Sequence, residues 1–376
     1  FFPHRENLQA VRNLSFSLKK GSTLGIVGES GSGKSLSALA TMQLLPQGAY
    51  LGENSKILYQ GHDLLQFTEK KMRNIRGKKI SLIFQEALVA FNPVLTVGDQ
   101  LIEALKRLSP ESTKKDLFDQ TCLLFEKVGI ENPKQCFRSY PFELSGGMQQ
   151  RCIIAMSIAG KPDILIADEP TTSLDVIIQA QILDLLQEIQ EEQKMSMIFI
   201  SHDLAVVSQI ADDVLLLKKG VLVEKGSCQN FFKNPTSEYG QALLSTVPDL
   251  KPRKESLEKK QSSSLLKIDQ LKVYFPIKAG LFRRTKNYVK AVDNISFELS
   301  QGETLALVGQ SGSGKTTAAM AVLSLLEATS GSKEFDNRSI HKNEKKSIAY
   351  LRQNMQVIFQ DPYSSLNPRR LVYDSI

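Results

Sequence analysis

Gly28-Glu-Ser-Gly-Ser-Gly-Lys-Ser35 decides the fold of this chain, and the sequence repeats it as Gly309-Gln-Ser-Gly-Ser-Gly-Lys-Thr316. Both copies fit the pattern G-x-x-x-x-G-K-[ST], follow an apolar run and precede a helix-forming stretch. The apolar runs, residues 23–27 and 304–308, are predicted to be strands. In this context the glycines allow successive backbone N–H groups to point at a bound anion. The N-terminus of the following helix, which is the positive end of its dipole, also favours the anion. A single match to this short pattern can arise by chance. Two matches in the same strand–loop–helix context predict that the protein binds a nucleoside triphosphate.

The residue types in this loop have chemical reasons. The lysine reaches the β and γ phosphates, and the hydroxyl of the next residue binds Mg²⁺. Lys34 and Lys315 are therefore the predicted phosphate contacts, and Ser35 and Thr316 are predicted Mg²⁺ ligands. The predicted nucleotide-binding residues of the two loops are Gly28, Ser30, Gly31, Gly33, Lys34 and Ser35, and Gly309, Ser311, Gly312, Gly314, Lys315 and Thr316.

The repeat extends beyond the loop. Leu14-Ser-Phe-Ser-Leu-Lys-Lys-Gly21 corresponds to Ile295-Ser-Phe-Glu-Leu-Ser-Gln-Gly302 at the offset that separates the two loops. Ile83-Phe-Gln85 corresponds to Ile358-Phe-Gln360, after a shorter connection in the second copy. Two homologous modules are therefore predicted. Residues 1–247 form the first, with a helical subdomain at about 97–160, residues 248–264 form a linker, and residues 265–376 form the N-terminal part of the second.

Composition and charge narrow the class of protein. The 376 residues are 41% hydrophobic, and no apolar run approaches the roughly 18 residues that span a bilayer, so we expect a soluble chain. The four cysteines lack metal-ligand spacing and are interpreted as reduced packing residues of a cytosolic protein, rather than as a zinc or iron–sulfur site. The net charge of +7 is spread along the chain, and no nucleic-acid partner is expected. The basic and serine-rich stretch 251–264 is typical of a flexible linker.

Two strand-like runs of the first module end in residues suited to phosphoryl chemistry. The run 161–167 ends in Asp168 and Glu169, of which the first can hold Mg²⁺ and the second can orient or deprotonate the attacking water. The run 195–200 is followed by His202, at the edge where ligands bind in open α/β sheets. An acidic pair after a strand is more often a turn or a helix cap, but downstream of this loop the catalytic interpretation is favoured. Alternating strand-like and helical stretches predict an α/β domain with a largely parallel sheet.

Leu144-Ser-Gly-Gly147 is the most diagnostic segment. Ser145 can cap the helix that follows, and Gly146 and Gly147 expose backbone N–H groups, which predicts a second anion-binding helix start. Alone it indicates only a capped helix. Together with the phosphate-binding loop and the acidic pair in the same domain, this segment completes a set of motifs that is specific for one protein family.

In this order, these motifs resemble those of the ATP-hydrolysing subunit of ABC transporters. The wording Thr171-Thr-Ser-Leu-Asp-Val-Ile-Ile-Gln-Ala180 and Phe359-Gln-Asp-Pro-Tyr-Ser-Ser-Leu-Asn-Pro368 is similar to the oligopeptide and dipeptide importer branch. The tandem arrangement resembles the fused two-ATPase subunits of microcin C and oligopeptide importers. The resemblance implies a mostly parallel α/β P-loop module with a helical subdomain, duplicated in tandem, with the second copy truncated.

The resemblance also implies cofactors, partners and site residues. ATP and Mg²⁺ lie between the P-loop of one module and the Leu-Ser-Gly-Gly segment of another, paired head to tail. Integral-membrane permease subunits and, through them, a solute-binding protein are the implied partners, at the cytoplasmic face of the bacterial inner membrane. Residues 86–93 and 361–368 line the groove for a permease helix. The implied site residues are Glu169, His202 and Gln85 in catalysis, Ser35, Gln85, Asp168, Thr316 and Gln360 at the metal, and Tyr288 on adenine.

The chain departs from this pattern in several places. Residues 86–91 lack the usual proline and Ser-Leu, Asn7 stands where the first module's adenine-stacking aromatic is expected, and no cysteine cluster follows the first module. The second module has no signature segment, acidic pair or switch histidine, so we expect a fragment truncated at both ends. Two alternatives stay open at this point: a soluble tandem ATPase that acts on ribosomes, and a fragment that binds nucleotide without turnover.

Overall fold

The computed structural model describes residues 9–85, 87–172, 174–246, 264–279, 284–310, 312–340, 344–359 and 366–375. The chain divides into two compact units, Phe1–Lys251 and Pro252–Ile376. The strands described in the first unit are β1 (Thr23–Val27), β2 (Leu58–Tyr59), β3 (His62–Asp63), β4 (Ile80–Ile83), β5 (Ile164–Asp168), β6 (Ser196–Ser201), β7 (Asp213–Lys218) and β8 (Val221–Ser227). Its described helices are α1 (Lys34–Thr41), α2 (Glu69–Ile75), α3 (Ala87–Ala90), α4 (Val97–Leu108), α5 (Lys114–Lys127), α6 (Pro133–Arg138), α7 (Gly146–Ile158), α8 (Val176–Gln193), α9 (Leu204–Ile210), α10 (Cys228–Lys233) and α11 (Glu238–Ser245).

The main sheet of the first unit has the order β4-β5-β6-β1-β7-β8. Neighbouring strands are parallel from β4 to β7, and β8 runs antiparallel to β7. The prediction of an α/β fold with a mostly parallel sheet is therefore confirmed. The predicted strand at residues 23–27 is β1, and the runs before Glu169 and His202 are β5 and β6.

The central strands are buried on both faces. In β6, Met197 and Phe199 belong to one apolar core, and Ile198 and Ile200 belong to the other. Every residue of β1 is buried. A strand covered on both faces must be apolar at nearly every position, which explains the continuous apolar runs in the sequence. The sheet is thus a fixed frame for the loops that follow its strands.

The chain between β4 and β5 forms the helices α3 to α7. Three of these helices begin at a hydroxyl residue whose oxygen accepts a backbone hydrogen bond: Thr96 before α4, Thr113 before α5 and Ser145 before α7. Phe125 and Ile154 are fully buried in the core on this side of the sheet. Among the residues that the structure describes, no helix is both long enough and apolar enough to cross a membrane.

The second unit contains an antiparallel sheet in the order β10-β9-β11-β12. Its strands are β9 (Ser264–Ala279), β10 (Arg284–Ser300), β11 (Ser330–Phe335) and β12 (Arg338–Ser339), and its described α-helices are α12 (Lys315–Val322) and α13 (Lys345–Asn354). Ile268, Leu271 and Val273 of β9 pack against Ala318 and Ala321 of α12. The second P-loop helix is therefore anchored on this sheet.

The predicted strand at residues 304–308 is wrong for this structure. Residues 303–310 pair with no strand among the described residues, and Leu305, Leu307 and Val308 are exposed. The equivalent strand of the first unit, β1, lies between β6 and β7, and the described residues of the second unit contain no counterpart of either. An apolar run becomes a strand only when neighbouring strands satisfy its backbone N–H and C=O groups.

Candidate active site

The strands of the first unit bring the predicted catalytic residues to one edge of the sheet. Strands β4, β5, β6 and β1 are neighbours and run in the same direction. The residues that follow them are Gln85 after β4, Glu169 after β5, His202 after β6 and Gly28 after β1. Because parallel strands end at the same edge, residues far apart in sequence become neighbours there, where ligands of open α/β sheets bind.

The loop after β1 has a shape that depends on glycine. Gly31 and Gly33 have φ angles of 78° and 96°, in the left-handed region. A Cβ atom on Gly33 would lie 2.8 Å from Val11 Cγ2 and 2.9 Å from Ala10 O. The hydroxyl of Ser32 is buried without a hydrogen-bond partner within the described structure. The Ser32 hydroxyl is free to donate, and the glycines leave the backbone N–H groups of the loop open to a ligand. Such a loop fits the triphosphate oxygens of a nucleotide.

Lys34 is almost completely buried in this loop, with 4% of its surface exposed. Its Nζ donates to Gly28 O at 2.8 Å and to Glu29 O at 2.9 Å. Burial lowers the pKa of Lys34, and the nearby carboxylates of Glu169 and Asp168 oppose this effect. The loop therefore holds a desolvated cation that can exchange two carbonyl partners for phosphate oxygens.

Ser35 and Asp168 form the predicted Mg²⁺ pair. Ser35 Oγ donates to Asp168 Oδ1 at 3.0 Å. Burial raises the pKa of Asp168 and the neighbouring Glu169 adds to this, while the Ser35 hydrogen bond and Lys34 lower it. The described residues contain no group of three or more histidine, cysteine, aspartate or glutamate side chains suited to a metal ion. A hydroxyl and a carboxylate oxygen fit Mg²⁺, which prefers oxygen ligands and keeps several waters.

Glu169 is the point on which the other predicted catalytic residues converge. Its Oε2 accepts a hydrogen bond from Gln85 Nε2 at 3.0 Å and from Thr172 Oγ1 at 2.9 Å, and lies 3.2 Å from His202 Nδ1. Glu169 is buried, whereas His202 is largely exposed. Three side chains thus fix one carboxylate oxygen, which is the arrangement a general base requires to keep its orientation toward a water molecule.

Glu169 also has a strained backbone. Its φ is 48°, in the left-handed region that non-glycine residues rarely occupy. The backbone N–H of Glu169 donates to Ile200 O at 2.9 Å, which holds this conformation against the end of β6. Strain of this kind is typical of functional sites and costs on the order of 1–3 kcal/mol. This strain could not be predicted from the sequence, because it is held by a hydrogen bond to a neighbouring strand.

Two residues of the site were not singled out from the sequence. Ser32 lies inside the P-loop pattern at a variable position, and only its burial without a partner distinguishes it. Thr172 lies three residues after Glu169, a spacing at which a turn can return its hydroxyl to the carboxylate. That spacing was the available signal for Thr172.

The signature segment starts a helix, as expected. Ser145 Oγ accepts a hydrogen bond from Met148 N at 3.4 Å, and Ser145 and Gly146 are exposed. A Cβ atom on Gly147 would lie 2.9 Å from Ile178 Cγ2, so this glycine allows α7 to approach α8 closely. Within the described residues no hydrogen bond links Ser145 to the P-loop of its own unit. The exposed N-terminus of α7 is therefore not part of the hydrogen-bonded site around Lys34.

The second P-loop has the same internal geometry as the first. Gly312 and Gly314 have φ angles of 79° and 93°, and Lys315 Nζ donates to Gly309 O at 2.7 Å and to Gln310 O at 2.6 Å. Thr316 is exposed and makes no hydrogen bond to an acidic side chain in the described structure. The predicted residues Ser311 and Gln360 lie outside the described residues, and so does Ser173 in the first unit. Tyr288 is exposed on β10, with its ring centroid 6.5 Å from that of Tyr274.

A P-loop, an acidic pair and a histidine at the carboxyl edge of a parallel sheet define a P-loop nucleotide-binding domain. A profile of the family described as ABC transporter matches residues 11–172 and 292–375. The chain therefore belongs to the ABC transporter family, and the resemblance drawn from its motifs is confirmed.

Relatives and solved structures agree with this assignment. The chain is 41% identical over its whole length to the glutathione import ATP-binding protein GsiA of Escherichia coli K12 and to that of Shigella dysenteriae, and it spans 65% of each. Among solved structures it is similar in fold to the ATP-binding cassette MJ0796 bound to ADP and Pi, with a TM-score of 0.52, 24% identity, and coverage of 58% of this chain and 90% of that one. It is likewise similar to cbiO1 from Clostridium perfringens, with a TM-score of 0.53, 22% identity, and coverage of 62% and 88%.

Proposed function

We propose that this chain is the ATP-binding and ATP-hydrolysing part of a bacterial ABC importer of short peptides or peptide-like compounds. ATP hydrolysis is supported by one observation above all: Gln85, Thr172 and His202 all contact the same carboxylate oxygen of Glu169. The name of the relatives supports the substrate class, since glutathione is itself a tripeptide.

The residues of the first unit have separate roles in hydrolysis. ATP supplies the transferred phosphoryl group, and Mg²⁺ neutralises charge on its oxygens. Lys34 and the backbone N–H groups of the P-loop bind the phosphates, while Ser35 and Asp168 would hold Mg²⁺. Glu169 orients the attacking water and accepts its proton, and Gln85, Thr172 and His202 hold the Glu169 carboxylate in place.

The complete site takes residues from two modules. The sequence contains Leu-Ser-Gly-Gly once, at residues 144–147. We infer that the exposed start of α7 in one module binds the phosphates held by the P-loop of another, because a helix N-terminus favours negative charge. Because the first module carries both a P-loop and a signature segment, two first modules from two chains can pair head to tail and form two complete sites.

An exposed apolar surface of the first unit suits a permease partner. Phe84 and Val89, on either side of Gln85 in the sequence, and Tyr140 and Phe142, just before the signature segment, are all exposed. The rings of Tyr140 and Phe142 are stacked, with centroids 5.6 Å apart. Exposed apolar side chains close to Gln85 and to the signature segment mark an interaction surface. We infer that it receives a cytoplasmic helix of an integral-membrane permease, which places the protein peripherally on the cytoplasmic face of the inner membrane.

Co-purification from detergent-solubilised membranes tests this proposal. The tagged chain should bring down multi-spanning permease subunits, and Phe142→Glu should abolish their recovery. Leu123→Glu on α5 is a matched control, since Leu123 is 63% and Phe142 67% exposed. ATP hydrolysis by the purified chain should persist in both variants. Recovery of ribosomes instead of permeases, or equal permease recovery with Phe142→Glu, would contradict the importer assignment.

A further inference from the structure

Two of the four cysteines form a pair inside the helical part of the first unit. Cys136 Sγ lies 3.5 Å from Cys152 Sγ, and both side chains are buried. Cys136 belongs to α6 and Cys152 to α7. The spacing in the sequence did not indicate a pair, because the two residues meet only when α6 and α7 pack together. The remaining cysteines, Cys122 and Cys228, are also buried and have free thiols.

The Cys136–Cys152 pair encloses the signature segment. Ser145 and Gly146 lie between the two cysteines, and Gln149 Nε2 donates to Pro141 O at 2.8 Å and to Leu144 O at 3.1 Å. The loop that carries the signature is therefore already held at its centre by Gln149. A covalent bond between the cysteines would close a ring around the whole segment and tie α6 to α7.

The two sulfurs are chemically unequal. The hydrogen bond with the Cys152 thiol lowers the pKa of Cys136, although burial acts in the opposite direction. The same hydrogen bond raises the pKa of Cys152, and burial adds to this. Burial raises the pKa of Cys122 and of Cys228. Cys136 lies in the six-residue helix α6, which opens locally more readily than the thirteen-residue α7 that holds Cys152, so we assign Cys136 as the nucleophile and Cys152 as the residue that completes the bond.

We propose that Cys136 and Cys152 form a reversible disulfide with a peroxide as the oxidant, and that this bond restrains the signature segment. The Cys136 thiolate attacks one peroxide oxygen, the O–O bond breaks, and a sulfenic acid forms with loss of water once the leaving hydroxide is protonated. The Cys152 sulfur then attacks the Cys136 sulfur, the S–OH bond breaks, and a second water leaves. Two thiols and hydrogen peroxide thus yield one disulfide and two waters.

The geometry makes this step accessible with a small movement. A disulfide has an S–S distance of about 2.0 Å, so the sulfurs must approach by roughly 1.5 Å from their present separation. Cys136 lies in a helix of six residues, Pro133–Arg138, that begins at a proline. Local opening of so short a helix admits a small oxidant to the buried pair. Hydrogen peroxide is therefore the probe of choice.

Intact mass and peptide mapping of the 376-residue chain test the proposal. After mild hydrogen peroxide treatment, the mass should fall by about 2 Da, and a non-reducing tryptic digest should contain the Cys136 and Cys152 peptides linked to each other. Dithiothreitol should reverse both changes. Cys136→Ser and Cys152→Ser should each prevent the link, and the double variant Cys122→Ser/Cys228→Ser should retain it. Four free thiols after treatment, or a link that involves Cys122 or Cys228, would overturn the proposal.

Hydrogen exchange tests the second half of the proposal. Amides of residues 139–148 should exchange more slowly in the oxidised chain than in the reduced one, and Cys152→Ser treated in the same way should show no such change. An oxidised chain with a verified Cys136–Cys152 bond and unchanged exchange in this segment would refute the restraint. Both readouts are independent of ATP hydrolysis, so they do not depend on the proposed function.

Discussion

The two P-loops of this molecule have the same local shape and very different surroundings. The glycine φ angles at Gly31 and Gly312 differ by one degree, and Lys34 and Lys315 donate to equivalent carbonyl oxygens. Yet Ser35 donates to Asp168, while Thr316 has no acidic partner among the described residues. An eight-residue pattern therefore determines the shape of a phosphate-binding loop. The parallel sheet around it determines whether acids, an amide and an imidazole reach that loop.

The largest expected effect is that of Glu169→Gln, which separates ATP hydrolysis by the first unit from nucleotide binding. Glu169→Gln keeps the size of the side chain but removes the proton acceptor, so turnover should fall on the order of 10²–10⁴-fold. MgATP affinity at the first P-loop should stay close to that of the wild type, since the phosphate contacts are unchanged. Single-turnover kinetics and equilibrium nucleotide binding measure the two quantities. Wild-type turnover in Glu169→Gln would remove this residue from the mechanism.

The second prediction compares the two lysines directly. Lys34→Ala should weaken MgATP binding to the first unit roughly 10- to 150-fold, the effect expected for loss of charged hydrogen bonds. Turnover should be lost with it. Lys315→Ala should weaken MgATP binding to the second unit to a similar extent and leave turnover nearly unchanged, because the catalytic residues surround Lys34. Isothermal titration with each variant separates the sites, and a large loss of turnover in Lys315→Ala would contradict the comparison.

The third prediction concerns the buried charge of Asp168. Burial raises the pKa of Asp168, so the folded protein binds the proton of this carboxyl group more tightly than the unfolded chain does. Ionisation of Asp168 therefore lowers the free energy of unfolding. That cost is present above the folded-state pKa and disappears as the pH falls through it toward the unfolded-state value. Asp168→Asn should therefore be more stable than the wild type at pH 7, and its advantage should shrink as the pH is lowered.

Urea denaturation of the nucleotide-free protein across this pH range measures the difference between Asp168→Asn and the wild type. Ser35→Ala serves as the companion variant, since it removes the donor that stabilises the carboxylate and should lower stability at pH 7. Equal stability of Asp168→Asn and wild type at pH 7 would show that the buried charge costs nothing.

The smallest expected effect is on stability, and it tests whether the two P-loops have the same backbone shape. Gly31→Ala and Gly312→Ala should each cost about 1–2 kcal/mol, from the left-handed backbone alone. Gly33→Ala and Gly314→Ala should cost more, because their Cβ atoms would approach Ala10 O at 2.9 Å and Ala291 O at 2.0 Å. Thermal unfolding of the four variants checks this order. A difference in ranking between the two units would show that the loops are not locally determined.

The sequence predicted the fold of the first unit well because its signals are local. A strand buried on both faces reads as a continuous apolar run, and the P-loop pattern contains its own glycines and helix start. The same reasoning failed at residues 304–308, where an equally apolar run lacks described partner strands. Strand formation there depends on residues far away in the chain, which a local pattern does not report.

The site was predictable in its members but not in its contacts. Gln85, Glu169 and His202 were identified from motifs, since each follows a recognisable run. The hydrogen bond from Thr172 to Glu169, the left-handed φ of Glu169 and the close Cys136–Cys152 pair were not. The φ of Glu169 and the cysteine pair depend on how separate segments pack together, so they became visible only in the folded chain, whereas the Thr172 hydrogen bond is local and its three-residue spacing was its one sequence signal.

Mixing two inactive variants tests the central claim most directly, namely that the acids of one first module act with the signature segment of another. Ser145→Arg blocks the exposed start of α7 but keeps Glu169, and Glu169→Gln keeps the signature segment. Each variant alone should hydrolyse ATP at a small fraction of the wild-type rate. An equimolar mixture should recover activity that rises with protein concentration, because mixed pairs contain one complete site. A mixture no more active than the sum of its components, with wild-type activity independent of concentration, would contradict the claim.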